Sequence, residues 1–284
     1  MKRLASVLLV VLMVTTTLNA TKRALVIGIG AYPAESGWRQ INGDKDIPLV
    51  KDMLVTNGFS KTNIMELKNE QATAAAIRRE MNTLIGKAQA GDVIYIHFSG
   101  HGQQVTDIHG DEEDGLDEAW IPYDAQFAYA KGKYEGENHI IDDQINVWLH
   151  QLRTRVGENG KITVVADACH SGGSSRGEDE EENVVVRGTA DTFVIPNQAK
   201  PFSGETGAEI DWVFISACKS NENNYEYKGY GSLTYALSLQ KDNLSSVSCG
   251  DLQCSIRSTI SNIVPRPQTP IVETTAYRKD KSVF

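Results

Sequence analysis

Two short segments carry side chains able to break an acyl bond. One is Phe98-Ser-Gly-His-Gly-Gln103, the other Val165-Ala-Asp-Ala-Cys-His-Ser-Gly-Gly173. An imidazole set against a thiol can draw off its proton or stabilise the thiolate, and the sulfur then attacks a carbonyl carbon. His101 and Cys169 are the candidates for this pair. The backbone amides of Gly102 and Cys169 are the candidates for holding the oxyanion, and glycine at 102 lets the chain approach closely. His170 is nearer to Cys169 along the chain, but successive side chains leaving a strand point to opposite faces, which makes it a poor base. Residue type alone leaves blander readings open. A cysteine at a strand end is often a small buried hydrophobe, a histidine beside glycines is often a turn residue, and spacing does not match Cys/His pairs between families.

To face each other, both segments must leave strands that end at one edge of one sheet. The pattern supplies such strands. Arg23–Gly30, Asp92–Phe98, Lys161–Ala166 and Trp212–Ser216 are continuous apolar runs, the mark of strands buried on both faces of a parallel sheet. Shorter strands are expected at 63–67 and 270–275. Helical spacing appears at 45–57 (Ile47, Val50, Met53, Leu54), with Gly58 as a natural stop, and at 73–88 (Ile77, Met81, Leu84, Ile85). Residues 140–152, 232–240 and 250–263 also read as helices. Alternating strands and helices predict an α/β fold, a mostly parallel sheet covered on both faces through right-handed crossovers. In such sheets active sites collect at the carboxyl ends of the strands, where His101 and Cys169 fall. From Gly172 to about Asn183 the chain is Gly, Ser and acid, with five acids in a row at Glu178–Glu182, and reads as a mobile surface loop.

Composition narrows the partners. The 284 residues are 40% hydrophobic, enough for a real core, and the formal net charge of −9 argues against nucleic acid. Lys2 and Arg3 followed by the apolar run Leu4–Val14 read as a signal peptide over 1–20, too short to span a bilayer, and no membrane span is expected after its removal. Cys169, Cys218, Cys249 and Cys254 are too few for a disulfide scaffold, although Cys249 and Cys254 could pair in an oxidising compartment.

Taken together, these motifs resemble those of metacaspases and other caspase-like cysteine peptidases. Ser-Gly-His-Gly at 99–102 is similar to the family's histidine motif, and Asp167-Ala-Cys-His-Ser-Gly172 to its cysteine motif. Asp111-Glu-Glu-Asp-Gly-Leu-Asp-Glu-Ala-Trp-Ile-Pro-Tyr-Asp124 resembles its acidic stretch, and Ala24–Tyr32 its opening strand. The resemblance runs from about residue 22 to 240. It implies a caspase-like three-layer fold with a six-stranded, mostly parallel sheet. One peptidase domain would then occupy 21–284, with a large-subunit-like part at 21–173, an acidic loop at 174–187 and a small-subunit-like part at 188–284.

The resemblance also implies an endopeptidase working through a His101/Cys169 dyad and cleaving after Arg, then Lys. Asp167 and Asp46 would bind the basic side chain, with Ser99 lining the same pocket. Asp44 competes with Asp46, and Gly43 replaces a residue that is often Cys in the family. A carboxylate pair can receive a guanidinium fork bidentately. No cofactor is required for the chemistry. Many metacaspases use calcium, which here would fall to Asp117, Asp142 and Asp143. Arg176 stands where the family's fourth acid would be, with Glu178 and Asp179 as nearby substitutes. Arg176 and Arg187 flank the acid run and are candidate self-cleavage sites. The expected partners are peptides or proteins with Arg or Lys at the cut, the expected state a monomer, and the expected location periplasmic or secreted. Two alternatives remain at this stage: a non-catalytic caspase-like binding module, and an Arg peptidase of the clostripain or gingipain type.

Overall fold

The computed structural model describes residues 20–169, 185–196, 198 and 210–284. The expected leader up to residue 19, His170, Arg176 and the acid run with Glu178 and Asp179 lie outside them.

Three strands form the centre of the main sheet: β1 (Lys22–Gly28), β3 (Val93–Ser99) and β7 (Lys161–Asp167). Their aliphatic runs are buried on both faces, which is why they do not alternate with polar residues. Around them lie β2 (Ile64–Lys68), β8 (Val213–Ser216) and β11 (Ile271–Glu273). The order across the six-stranded sheet is β11-β8-β7-β3-β1-β2, with only β11 antiparallel to its neighbour. This is the mostly parallel sheet expected from the strand pattern.

Helices cover both faces, in two apolar layers. One layer packs α2 (Ala74–Lys87) and α3 (Asp142–Val156) on Ile94, Ile96 and Phe98 of β3. The other packs α1 (Gly43–Thr56), α4 (Ser232–Ser238) and α5 (Cys249–Ile263) on Val93 and Tyr95. The period of two therefore splits β3 into an apolar face and a face bearing Tyr95, His97 and Ser99. Local chemistry sets the helix ends. Thr73 Oγ1 accepts the Ala76 amide at 3.2 Å, and Ser248 Oγ accepts that of Asp251 at 3.1 Å. Gly58, at φ 83°, turns the chain after α1.

Two small sheets were not expected. β4 (Gly102–Thr106), β5 (Leu116–Trp120) and β6 (Ile140–Ile141) form an antiparallel sheet, and β9 (Glu226–Tyr227) and β10 (Tyr230–Gly231) a hairpin. The acidic stretch is thus partly a strand, with Asp117 and Ala119 turned inward. Of the expected acidic loop, residues 185–187 are described: Val186 bridges Tyr225, and Arg187 is fully buried. None of the four cysteines is in a disulfide; Cys249 is buried and Cys254 exposed, and these two are not paired. Among the described residues no helix is long and apolar enough to cross a membrane.

Candidate active site

Ser99 pairs with Asp167 at the carboxyl ends of β3 and β7. His101 and Cys169, each two residues further on, therefore leave neighbouring strands at the same level. The His101 ring stacks on Trp38 with 4.9 Å between centroids and lies 5.0 Å from Tyr32. Tyr32 also fixes the backbone here: its hydroxyl accepts the His101 amide at 3.0 Å and donates to the Ile121 carbonyl at 2.9 Å. His101 Nε2 lies 2.8 Å from the Arg39 carbonyl, which can only accept, so Nε2 carries the proton. Nδ1 is buried without a partner and is left as an acceptor. Burial holds the His101 pKa down at about 4, so the ring is neutral and able to take a proton. The Cys169 thiol is buried and donates to the Glu222 carbonyl at 3.1 Å.

Below this pair is an acidic pocket, and Arg187 fills it. Arg187 Nη1 donates to Asp46 Oδ2 at 2.6 Å and lies 3.7 Å from Asp167 Oδ1, while Nε donates to Glu226 Oε1 at 3.1 Å. Burial disfavours the guanidinium charge, but the three carboxylates outweigh it and raise the Arg187 pKa. Burial in turn pushes Asp46 up to about 6 in spite of the attraction of Arg187. Every pocket carboxylate is held on its other side. Asp46 accepts from Ser99 Oγ at 2.8 Å and the Gly231 amide at 3.0 Å. Asp167 accepts from Asn224 Nδ2 at 2.7 Å and from the Thr234 amide and hydroxyl at 2.8 and 2.5 Å. Glu226 accepts the Asn42 amide at 2.7 Å. Gly231 forms the wall, where a Cβ would collide with the Asp167 carboxylate and the Arg187 guanidinium. Asp44, the competitor of Asp46, instead lies 3.4 Å from Lys68 Nζ at the surface.

The backbone of 185–188 lies in this site as an added strand. The Arg187 amide donates to the Asn224 carbonyl at 3.0 Å, and the Glu226 amide to the Val185 carbonyl at 3.0 Å. The Arg187 carbonyl accepts the Cys169 amide at 2.8 Å. Gly102 forms a parallel bridge with Gly188, so both expected oxyanion donors lie beside the Arg187–Gly188 peptide. Gly188 is held so tightly that a Cβ there would strike the Cys169 backbone. Extended main-chain pairing of this kind is how sheet edges bind peptides in general.

A second acidic group lies away from the pocket. Carboxylate oxygens of Asp111, Asp117 and Asp143 come within 4.8 Å of one another. Asp111 Oδ1 and Asp117 Oδ2 are buried without partners. Burial, then Asp142, Asp107, Asp143 and Asp111, push Asp117 up to about 8; burial, then Glu118 and Glu112, push Asp142 up to about 8. Crowded carboxylate oxygens fit a hard divalent cation such as calcium. Of the three residues expected to bind it, Asp117 and Asp143 fall in this group. The third member of the group is Asp111, and Asp142 lies near enough to raise Asp117.

Residues 22–175, more than half of the chain, match the family model for the metacaspase, peptidase C14 domain. The chain belongs to the metacaspase family. It is 28% identical over 270 residues to Metacaspase-1 of Candida albicans, covering 78% of this chain and 57% of that protein. It is 34% identical over 160 residues to Metacaspase-1A of Aspergillus fumigatus, covering 53% and 35%. Against Metacaspase-1 of Eremothecium gossypii it is 32% identical over 163 residues, covering 54% and 32%. The chain thus spans between a third and somewhat over half of the length of these metacaspases. The crystal structure of protein GSU0716 from Geobacter sulfurreducens shares the fold, with a TM-score of 0.64, 21% identity, and 93% and 98% of the two chains covered.

Within this metacaspase, Gly43 has a local reason for departing from the frequent Cys. A Cβ there would lie 2.5 Å from the carbonyl oxygens of both Ile29 and Ser99, because α1 begins directly against the sheet edge. Two pocket residues were not read from the sequence. Glu226 sits in a Tyr- and Asn-rich stretch with no motif of its own. Arg187 was read only as a loop residue open to cleavage. The one available signal was that a buried carboxylate pair needs a cation and Arg187 is the basic residue just beyond the acid run.

Proposed function

We propose that this metacaspase is a cysteine endopeptidase that cleaves after Arg, with Lys second, and that it cuts its own chain between Arg187 and Gly188. One observation carries the reading. Arg187 places its guanidinium among Asp46, Asp167 and Glu226 while its carbonyl accepts the Cys169 amide. Its side chain and carbonyl are thus held as those of a bound substrate would be, and the Cys169 thiol, which donates to the Glu222 carbonyl at rest, turns toward His101 for the attack.

His101 Nδ1 takes the proton from Cys169 Sγ, and the sulfur attacks the Arg187 carbonyl carbon. The oxygen gains charge beside the amides of Cys169 and Gly102. His101 then passes the proton to the Gly188 nitrogen as the C–N bond breaks, leaving an acyl-enzyme at Arg187. Water, deprotonated by His101, releases the carboxylate and restores the thiol. Arginine is favoured over lysine because its fork meets Asp46 through Nη1 and Glu226 through Nε, whereas an ammonium is a single point. The collision of a Cβ at position 188 with Cys169 favours glycine after the cut. Mass spectrometry of the purified full-length chain is expected to find a new N-terminus at Gly188. An active enzyme left uncut at Arg187 would reject self-cleavage, and a preference for Asp over Arg reporters would reject the pocket.

Calcium enters as a regulator held by Asp111, Asp117 and Asp143, with Asp142 alongside, where it would neutralise mutually repelling carboxylates. In the uncleavable Cys169→Ala chain, calcium is expected to raise the thermal midpoint. Asp117→Asn in that background is expected to remove the shift, and a shift that survives would place the cation elsewhere. Export to the periplasm or exterior, supported by the apolar Leu4–Val14 run, and a monomeric state complete the proposal.

A further inference from the structure

A polar stripe runs through the interior beneath the pocket. Tyr95, His97 and Ser99 alternate on the α1/α4 face of β3, and His97 and Ser99 are fully buried. The Tyr95 hydroxyl lies 3.0 Å from His97 Nδ1. His97 Nε2 lies 3.0 Å from Ser99 Oγ and 3.1 Å from Thr234 Oγ1. Those two hydroxyls are the ones that reach the pocket: Ser99 donates to Asp46 and Thr234 to Asp167.

Each hydroxyl has one proton, and both protons are committed to carboxylates. Toward His97, Ser99 and Thr234 can therefore only accept. Nε2 must carry the imidazole proton and share it between them, which leaves Nδ1 to accept from Tyr95. Only this assignment gives every bond one donor. All the protons then point one way, from Tyr95 through His97 to the two hydroxyls and on to the two carboxylates. Without the Nε2–H, either hydroxyl could turn its proton away from its carboxylate.

We infer that His97 is a positioning residue for arginine recognition: its Nε2–H holds Ser99 and Thr234 so that both point their protons at the pocket carboxylates. It touches neither substrate nor nucleophile. Burial keeps its pKa near 4, consistent with the neutral ring that this pattern requires. The inference rests on the Arg-directed reading of the pocket.

Steady-state kinetics on an Arg reporter, with full-length processed enzyme and active sites titrated, test it. His97→Gln places an amide N–H near the Nε2 position, whereas the shorter amide of His97→Asn reaches only the Nδ1 position. His97→Asn is expected to raise KM about tenfold, the scale of two freed hydrogen-bonded hydroxyls, with kcat little changed. His97→Gln is expected to bring KM back close to wild type. A purely structural role would lower the active fraction or the melting temperature in both variants without this split in KM, and would overturn the inference. So would a wild-type KM in His97→Asn. If the wild-type enzyme itself fails to hydrolyse Arg reporters, the pocket reading falls first, before any variant is compared.

Discussion

Replacing Cys169 by alanine is expected to lower kcat/KM on Arg reporters by about 10⁴-fold or more, the scale seen when a covalent nucleophile is removed, and to leave the chain uncut at Arg187. The expectation follows from position. Cys169 leaves β7 at the level where His101 leaves β3, and its own amide already holds the carbonyl that its sulfur would attack. Cys218 leaves the adjacent strand β8 but cannot take over. In the intact chain its contact with Cys169 and its burial push its thiol well above the usual range; the alanine variant removes the contact, but the burial remains and keeps the thiol protonated. His101→Ala should cost nearly as much, and the double variant little more, because a nucleophile and its base act as one unit. Hydrolysis that persisted in purified Cys169→Ala would sink the mechanism.

The second large effect is expected at Asp46. Asn there keeps the shape, but Ser99 and Gly231 donate to different carboxylate oxygens, so its single amide oxygen can accept from only one of them, and the charge under the guanidinium is gone. Breaking a buried pair by removing one partner costs about 3–5 kcal/mol, which corresponds to a fall in kcat/KM for Arg reporters from roughly a hundredfold to several thousandfold. Asp167 and Glu226 remain, so some preference for Arg over uncharged residues should survive. Asp44→Asn, at the surface beside Lys68, should change little. The assignment is wrong if Asp46→Asn cleaves Arg reporters about as well as wild type while Asp44→Asn does not.

How much of this was readable in the chain depended on how local each feature is. The meeting of His101 and Cys169 at one sheet edge was legible because both follow long aliphatic runs that end in small residues. The sheet was legible for the same reason. Asp46 was preferred to Asp44 only by resemblance, since both fall in the first turn of α1 and only the direction of that turn against β3 decides between them. β5 was hidden by its own composition: Leu-Asp-Glu-Ala-Trp reads as solvated loop until β4 is seen pairing alongside it. Glu226 and Arg187 were out of reach for a different reason. They meet across 39 positions, and their pairing is energetically sensible only in a buried place that neither segment makes alone.

On the proposed reading, the segment that fills the pocket belongs to the same molecule that would cut it. Its local concentration at Cys169 is fixed by the tether and does not depend on how much protein is present; such linked contacts correspond to effective concentrations on the order of millimolar. The proposed self-cleavage would then be first order, with a half-life that dilution leaves unchanged. A freely diffusing arginine mimic at micromolar levels competes poorly with the resident Arg187. If the proposed cut occurs, inhibitors shaped for this pocket would act mainly on molecules already cut and little on those whose pocket Arg187 still fills.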